Sequence, residues 1–138
     1  MITILVVEDN PGDVFLIRRA LKEARIAANL VVVDDGQRAL SFLEQGDADH
    51  PASRPSLMLL DLNLPKIGGA SVLDTLRNDT RYARLPIIVM TSSDSPLDHA
   101  MAAELRADHY FRKPSDLDGF MQLGGIVRQI LHLTAEAS

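Results

Sequence analysis

Four sets of side chains in this sequence stand where chemistry is usually done: an acidic pair, Glu8 and Asp9; a single carboxylate, Asp61; a hydroxyl, Thr91; and an ammonium, Lys113. Each ends or follows a short apolar run, so each is offered at the end of an element rather than within one. Carboxylates act as nucleophiles that form aspartyl phosphates, and phosphoryl transfer otherwise needs in-line positioning and neutralised equatorial oxygens. Brought together, these groups would make a phosphoacceptor, with Asp61 the nucleophile and Lys113, Thr91 and backbone N–H groups holding the phosphoryl oxygens. Three carboxylates in one partly desolvated place repel one another and demand either protons or a cation. Oxygen donors without histidine or cysteine suit Mg2+, for which Mn2+ can substitute. Asp9 and Asp61 are expected as direct ligands, the backbone carbonyl of Asn63 as a third, and Glu8 through water. Asn63 and Ser93, each two residues past Asp61 and Thr91, stand where they would position or admit an attacking water.

Taken singly, each residue has a plainer explanation. An aspartate after an apolar strand is commonly a loop start or helix cap, Asn10-Pro11-Gly12 already supplies helix-entry chemistry after Glu8 and Asp9, and a lone lysine is commonly a solvated charge. The joint placement at neighbouring element ends is what points to a site.

The elements that must position these residues are legible as two periodicities. Residues 2–7, 30–33, 57–60 and 87–90 are continuous apolar runs of strand length, and 109–112 is a weaker one ahead of Lys113 and Pro114. Such runs suit strands covered on both faces. Between them, Val14, Leu16, Ile17, Ala20, Leu21 and Ala24 recur at helical spacing, and further helices are expected over 36–45, 70–78, 96–105 and 117–133. Five alternations of strand and helix imply right-handed crossovers and a flavodoxin-like (βα)5 three-layer sandwich, a parallel sheet of order 2-1-3-4-5. Ligands in such sheets bind beyond the carboxyl ends of the strands, where all four sets of residues fall. Residues 46–56, rich in Gly, Asp, Pro and Ser, read as a surface loop.

Composition narrows the possibilities. The 138 residues suit one domain over 1–138, with a core spanning about 2–134, and 46% hydrophobic content supports a real core. A net charge of −5 argues against nucleic acid or an anionic membrane face as a partner. No cysteine, no leader-like start and no apolar stretch near the ~20 residues of a membrane span make a cytoplasmic protein the expectation. His50, His99, His109 and His132 lack metal-ligand spacing, and no Walker A or G-x-G-x-x-G sequence supports a nucleotide cradle.

The motifs ILVVEDN, LLDLNLPKIGG, IIVMTSS and YFRKP together resemble the response-regulator receiver family of two-component systems over nearly the whole chain. The resemblance implies metal binding by Glu8 and Asp9, phosphorylation at Asp61 by a sensor histidine kinase, a switch hydroxyl at Thr91, a switch aromatic at Tyr110 and phosphate pairing by Lys113. It also implies a cis Lys113-Pro114 peptide and a signal carried by the face that the fourth helix, the fifth strand and the fifth helix form. Ser115 stands where many relatives carry Phe, and the acidic pair is Glu-Asp rather than the commoner Asp-Asp. VEDNPGDVFLIRRAL and DLNLP look most like single-domain regulators partnered with bacterial and cyanobacterial phytochromes.

The last helix is expected to carry the chain to its end without an output module, leaving phosphorelay, phosphate drainage or contact with a downstream protein as the output. An apolar stripe of Leu123, Ile126, Ile130 and Leu133, beside a core stripe of Leu117, Phe120, Met121, Val127 and Leu131, suggests a homodimer face. Two rival classes are a phosphorylation-independent binding module and a Mg2+-dependent aspartyl-phosphate phosphohydrolase. The latter needs a general acid two residues after its nucleophile, where this chain has Asn63.

Overall fold

Apolar, β-branched segments with no polar face can satisfy their backbone only between neighbours and must be covered on both sides. In the computed structural model, which describes residues 2–49, 54–64 and 67–132, they do so as five parallel strands. These are β1 (Ile2–Val7), β2 (Ala28–Val33), β3 (Leu57–Asp61), β4 (Ile87–Thr91) and β5 (His109–Arg112), in the order β2-β1-β3-β4-β5. The helices α1 (Pro11–Glu23), α2 (Gly36–Asp49), α3 (Gly69–Arg77), α4 (Pro96–Glu104) and α5 (Leu117–Ile130) alternate with them. The three-layer architecture and strand order match the sequence expectation.

Period-two alternation divides the buried side chains between two faces. Ile4, Val6, Leu57, Leu59, Ile88 and Met90 point to the side that holds Ile17 of α1 and Phe120, Leu123 and Val127 of α5. Leu5, Val7, Met58, Leu60, Ile87 and Val89 point the other way, onto Ala39, Leu43, Val72, Leu73, Leu76 and Ala102 of α2, α3 and α4.

Several expectations are revised. α2 continues through Gly46 to Asp49, because one interior glycine costs only about 1 kcal/mol, which the continuing backbone hydrogen bonds of an established helix offset. The surface loop expected over 46–56 therefore begins in helix, and its residues 50–53 lie outside the described residues. α5 ends at Ile130, where Leu131 caps it and His132 turns to a positive φ of 56°. The two apolar stripes on α5 also divide differently: Phe120, Leu123, Gly124 and Val127 form the buried row. A Cβ on Gly124 would stand 2.6 Å from the Ala24 Cβ, so the close packing of α5 on the end of α1 needs a residue with no side chain there. Leu123 is fully buried in the core and leaves the expected dimer face, Ile126 and Ile130 pack half-buried against the same cluster, and Leu133 lies outside the described residues. No helix among the described residues is long and apolar enough to cross a membrane.

Candidate functional site

Strand register alone brings the predicted residues together. Val7 pairs with Leu60, so Glu8 and Asp61 emerge side by side on β1 and β3. Asp61 pairs with Met90 and Thr91 with Arg112, which sets Thr91 and Lys113 one residue further along each neighbouring strand. The Lys113 N–H donates to the Thr91 carbonyl at 2.7 Å, extending that pairing. Asn10 caps α1, its Oδ1 accepting from the Gly12 N–H at 2.9 Å and the Asp13 N–H at 3.3 Å, and Pro11 occupies the first turn. Gly69 holds the loop after β3 close, since a Cβ there would collide with the Asp61 carbonyl.

The result is a cleft of about 490 Å3 at the carboxyl edge of the sheet, lined by Asp9, Asp13, Asp61, Asn63, Ser92 and Lys113 among others. Glu8 is 2% exposed, Asp61 4% and Thr91 0%, whereas Asp9 is open to solvent. One carboxylate oxygen each from Glu8, Asp9 and Asp61 lie within 4.8 Å of one another. An all-oxygen, all-anionic set of that size fits a hard divalent cation, with Asp9 on the solvent side where the ion's waters would remain. Burial, reinforced by its hydrogen bond to Asp61, pushes the Glu8 carboxyl up to about 7 against the opposing pull of Lys113. Burial is the larger cause, and the neighbouring Asp61 carboxylate adds to it.

Lys113 meets three carboxylates: Glu8 Oε1 at 2.7 Å, Asp13 Oδ2 at 2.8 Å and Asp61 Oδ2 at 3.4 Å. The contact with Glu8 Oε1 is one of charge, and that buried oxygen has no hydrogen bond. Burial alone would favour neutral lysine, but the hydrogen bond to Asp13 and the close charges of Glu8 and Asp61 outweigh it and hold the ammonium's pKa above its ordinary value. The other Asp61 oxygen, Oδ1, accepts from the Asn63 N–H at 3.0 Å.

Thr91 Oγ1 accepts from the Ser93 N–H at 3.1 Å and from Asn63 Nδ2 at 3.4 Å, leaving its own proton free to donate. Ser92, rather than Ser93, lines the cleft. Ser93 instead sits between the two switch residues, because its carbonyl accepts from the Tyr110 hydroxyl at 2.9 Å. The Tyr110 ring is half-buried and stacks on His99 of α4 with centroids 3.8 Å apart, and His99 Nε2 lies 2.9 Å from Asp94 Oδ1. Burial, then the charges of Asp98 and Asp94, raise the Tyr110 pKa. The Lys113-Pro114 peptide is trans, as are all described peptide bonds, in keeping with the intrinsic preference of about 0.5–1 kcal/mol for that isomer.

Sequence reasoning missed Asp13. It lies in the first turn of α1, beyond the Asn10 cap that separates it from Asp9, and a first-turn acid ordinarily reads as favourable to the helix dipole.

The family model for the response regulator receiver domain matches residues 4–123. Response regulator Rcp1 of Synechocystis sp. is 37% identical over 124 residues, covering 89% of this chain and 84% of that protein. The crystal structure of the phosphorylated cyanobacterial phytochrome response regulator RcpA is 35% identical with a TM-score of 0.85, covering 96% of this chain and 95% of that one. The Mn2+-bound form of Rcp1 is likewise 35% identical with a TM-score of 0.85, covering 97% of both chains. Receiver domains bind Mg2+, and the donor set formed by Glu8, Asp9 and Asp61 is of that kind. With the carboxyl-edge cleft, the strand order and these relatives in agreement, the chain belongs to the response-regulator receiver family, a signalling domain rather than a conventional enzyme.

Proposed function

We propose that Asp61 accepts a phosphoryl group from a phosphohistidine of a sensor histidine kinase, of phytochrome type, in the cytoplasm. The observation that carries this reading is the surplus of negative charge in the cleft, three carboxylates crowded within 4.8 Å of one another. An Asp61 oxygen would attack phosphorus while the P–N bond breaks and its electron pair returns to the imidazole. Bound Mg2+, held by Asp9, Asp61 and the Asn63 carbonyl with Glu8 behind, would neutralise charge on the transferred group. Lys113 would pair with a second phosphoryl oxygen and Thr91 donate to a third. Moving Thr91 towards the phosphate would break its bonds to Ser93 and Asn63 and release the hold that Ser93 has on Tyr110, so the face formed by α4, β5 and α5 would change shape. Asn63, which lines the cleft, then governs access of water to the acyl phosphate.

The phytochrome assignment is supported by the regulators that match over nearly their whole length, RcpA and Rcp1. The chain signals by protein contact, as a relay, a phosphate sink or a ligand for a downstream protein. Pairing of two copies through the outer surface of α4 and α5 is supported by Leu97, 81% exposed, and the half-buried Ile126 and Ile130. Light scattering should show phosphorylation-dependent dimers, and a concentration-independent monomer in both states would remove this part.

Incubation with acetyl phosphate and Mg2+, read by intact mass, tests the core reading. Wild type should gain one phosphoryl group, and Asp61→Ala or removal of Mg2+ by EDTA should abolish the gain. An undiminished gain in Asp61→Ala would refute the assignment, and no gain in wild type would favour the phosphorylation-independent binding module.

A further inference from the structure

Lys113 is held most closely, among its hydrogen-bond partners, by a residue outside the metal-ligand set. Its Nζ donates to Asp13 Oδ2 at 2.8 Å and to Asp61 Oδ2 at 3.4 Å. Asp13 and Lys113 are both largely shielded, with side chains 20% and 13% exposed. The first turn of α1 that carries Asp13 is fixed by the Asn10 cap, which accepts from the Asp13 N–H itself. Asp13 is not among the described residues whose carboxylates cluster to hold a metal ion, so its direct partner is the ammonium.

An ammonium on a four-carbon stem has three donors and no fixed fork, so the acceptors of its hydrogen bonds decide where it rests. Here the short hydrogen bond to Asp13, beside the charge contact with Glu8 at 2.7 Å, draws it towards α1 and leaves the bond to Asp61 long. A phosphoryl group on Asp61 would bring about 1.5–2 negative charges into the same cleft and compete for the ammonium. We propose that Asp13 is a positioning residue for Lys113, holding its ammonium on the α1 side of the cleft in the phosphate-free protein and yielding it as the phosphoryl group arrives. The inference rests on the reading of Asp61 as phosphoacceptor and Lys113 as its phosphate partner. Asp13 thereby restrains phosphoryl uptake, both by occupying the cation and by adding a like charge near the path of an anionic donor.

Asp13→Asn keeps the shape and removes the charge. At saturating Mg2+ it should take up phosphoryl from acetyl phosphate severalfold faster, with the gain mainly in the apparent KM for acetyl phosphate. Asp13→Glu should restore the slower rate, and most of the gain should disappear in a Lys113→Met background. A first-turn acid serving only the helix dipole would change stability and leave these rates alone. An unchanged or slower Asp13→Asn, or a gain that persists in full without Lys113, would overturn the proposal. Amine acetylation of the metal-free protein reads the hold on Lys113 with no phosphoryl chemistry. Labelling of Lys113 relative to exposed Lys22 should rise severalfold in Asp13→Asn, and unchanged labelling would also overturn the proposal. A wild type that takes up no phosphoryl group yet shows the labelling shift would refute the phosphoacceptor reading while leaving the hold by Asp13 standing.

Discussion

Two shielded cations sit at opposite ends of this sheet, and their surroundings are opposite in kind. At the amino edge, Arg77 of α3 donates from all three guanidinium nitrogens to the carbonyls of Tyr82, Ala83, Leu85, Leu105 and Arg106 and to Asp108 Oδ2. Its acceptors are mostly neutral carbonyls, and it ties the turn before β4 to the turn before β5. At the carboxyl edge, Lys113 faces the carboxylates of Glu8, Asp13 and Asp61, and a Glu8 oxygen there has no hydrogen bond. Burial lowers the Arg77 pKa against the favourable charge of Asp108, whereas neighbouring acids hold Lys113 above its ordinary value. A shielded charge whose hydrogen bonds are complete serves the fold. One surrounded by surplus opposite charge is set up for further ligands.

The contrast can be broken or sharpened by mutation. Arg77→Ala removes the donor for five carbonyls and should cost about 3–5 kcal/mol in urea denaturation, while the protein that remains folded accepts phosphoryl at the wild-type rate. Glu8→Gln should do the reverse, stabilising the metal-free protein by roughly 1–3 kcal/mol because an ionised carboxylate there is unfavourable, while Mg2+ binding by calorimetry weakens at least severalfold.

The pH dependence follows from the same group. The folded-state pKa of Glu8, about 7, lies above its ordinary value of 4.5, so the native state binds more protons between those limits. The contribution of protonated Glu8 to stability is full below the lower value and lost as pH rises through the upper one. In EDTA, urea midpoints should therefore fall across this window, while Mg2+ affinity rises as the ion ceases to compete with a proton. The smallest effect expected is that of His99→Ala. Losing the stack on Tyr110 should cost about 0.5–1 kcal/mol and leave phosphoryl uptake unchanged, because that contact belongs to neither charged pole.

The two poles were unequally legible in the sequence. Glu8, Asp61, Thr91 and Lys113 could be placed because each ends or follows an apolar run, and strand ends in a parallel sheet share one edge. Asp13 could not, since its partner lies 100 residues away and only the packing of α1 beside the end of β5 brings them into contact. Arg77 escaped notice for a similar reason: its partners are backbone carbonyls, which carry no sequence signature. The faces of α5 were misjudged because hydrophobic spacing ranks side chains, while α5 packs tightly against α1 at Gly124, which has none. The trans peptide at Lys113-Pro114 corrects an expectation taken from family resemblance alone.

The central claim, that the carboxyl-edge cleft makes Asp61 a phosphoacceptor, meets its most direct test in borohydride trapping. Reduction of the acyl phosphate after treatment with phosphorylated kinase or acetyl phosphate converts the modified aspartate to homoserine, which peptide sequencing by mass spectrometry can locate. Homoserine at position 61 alone, and only when Mg2+ is present, is the predicted result; homoserine at Asp9 or Asp13, or at no position, would contradict it.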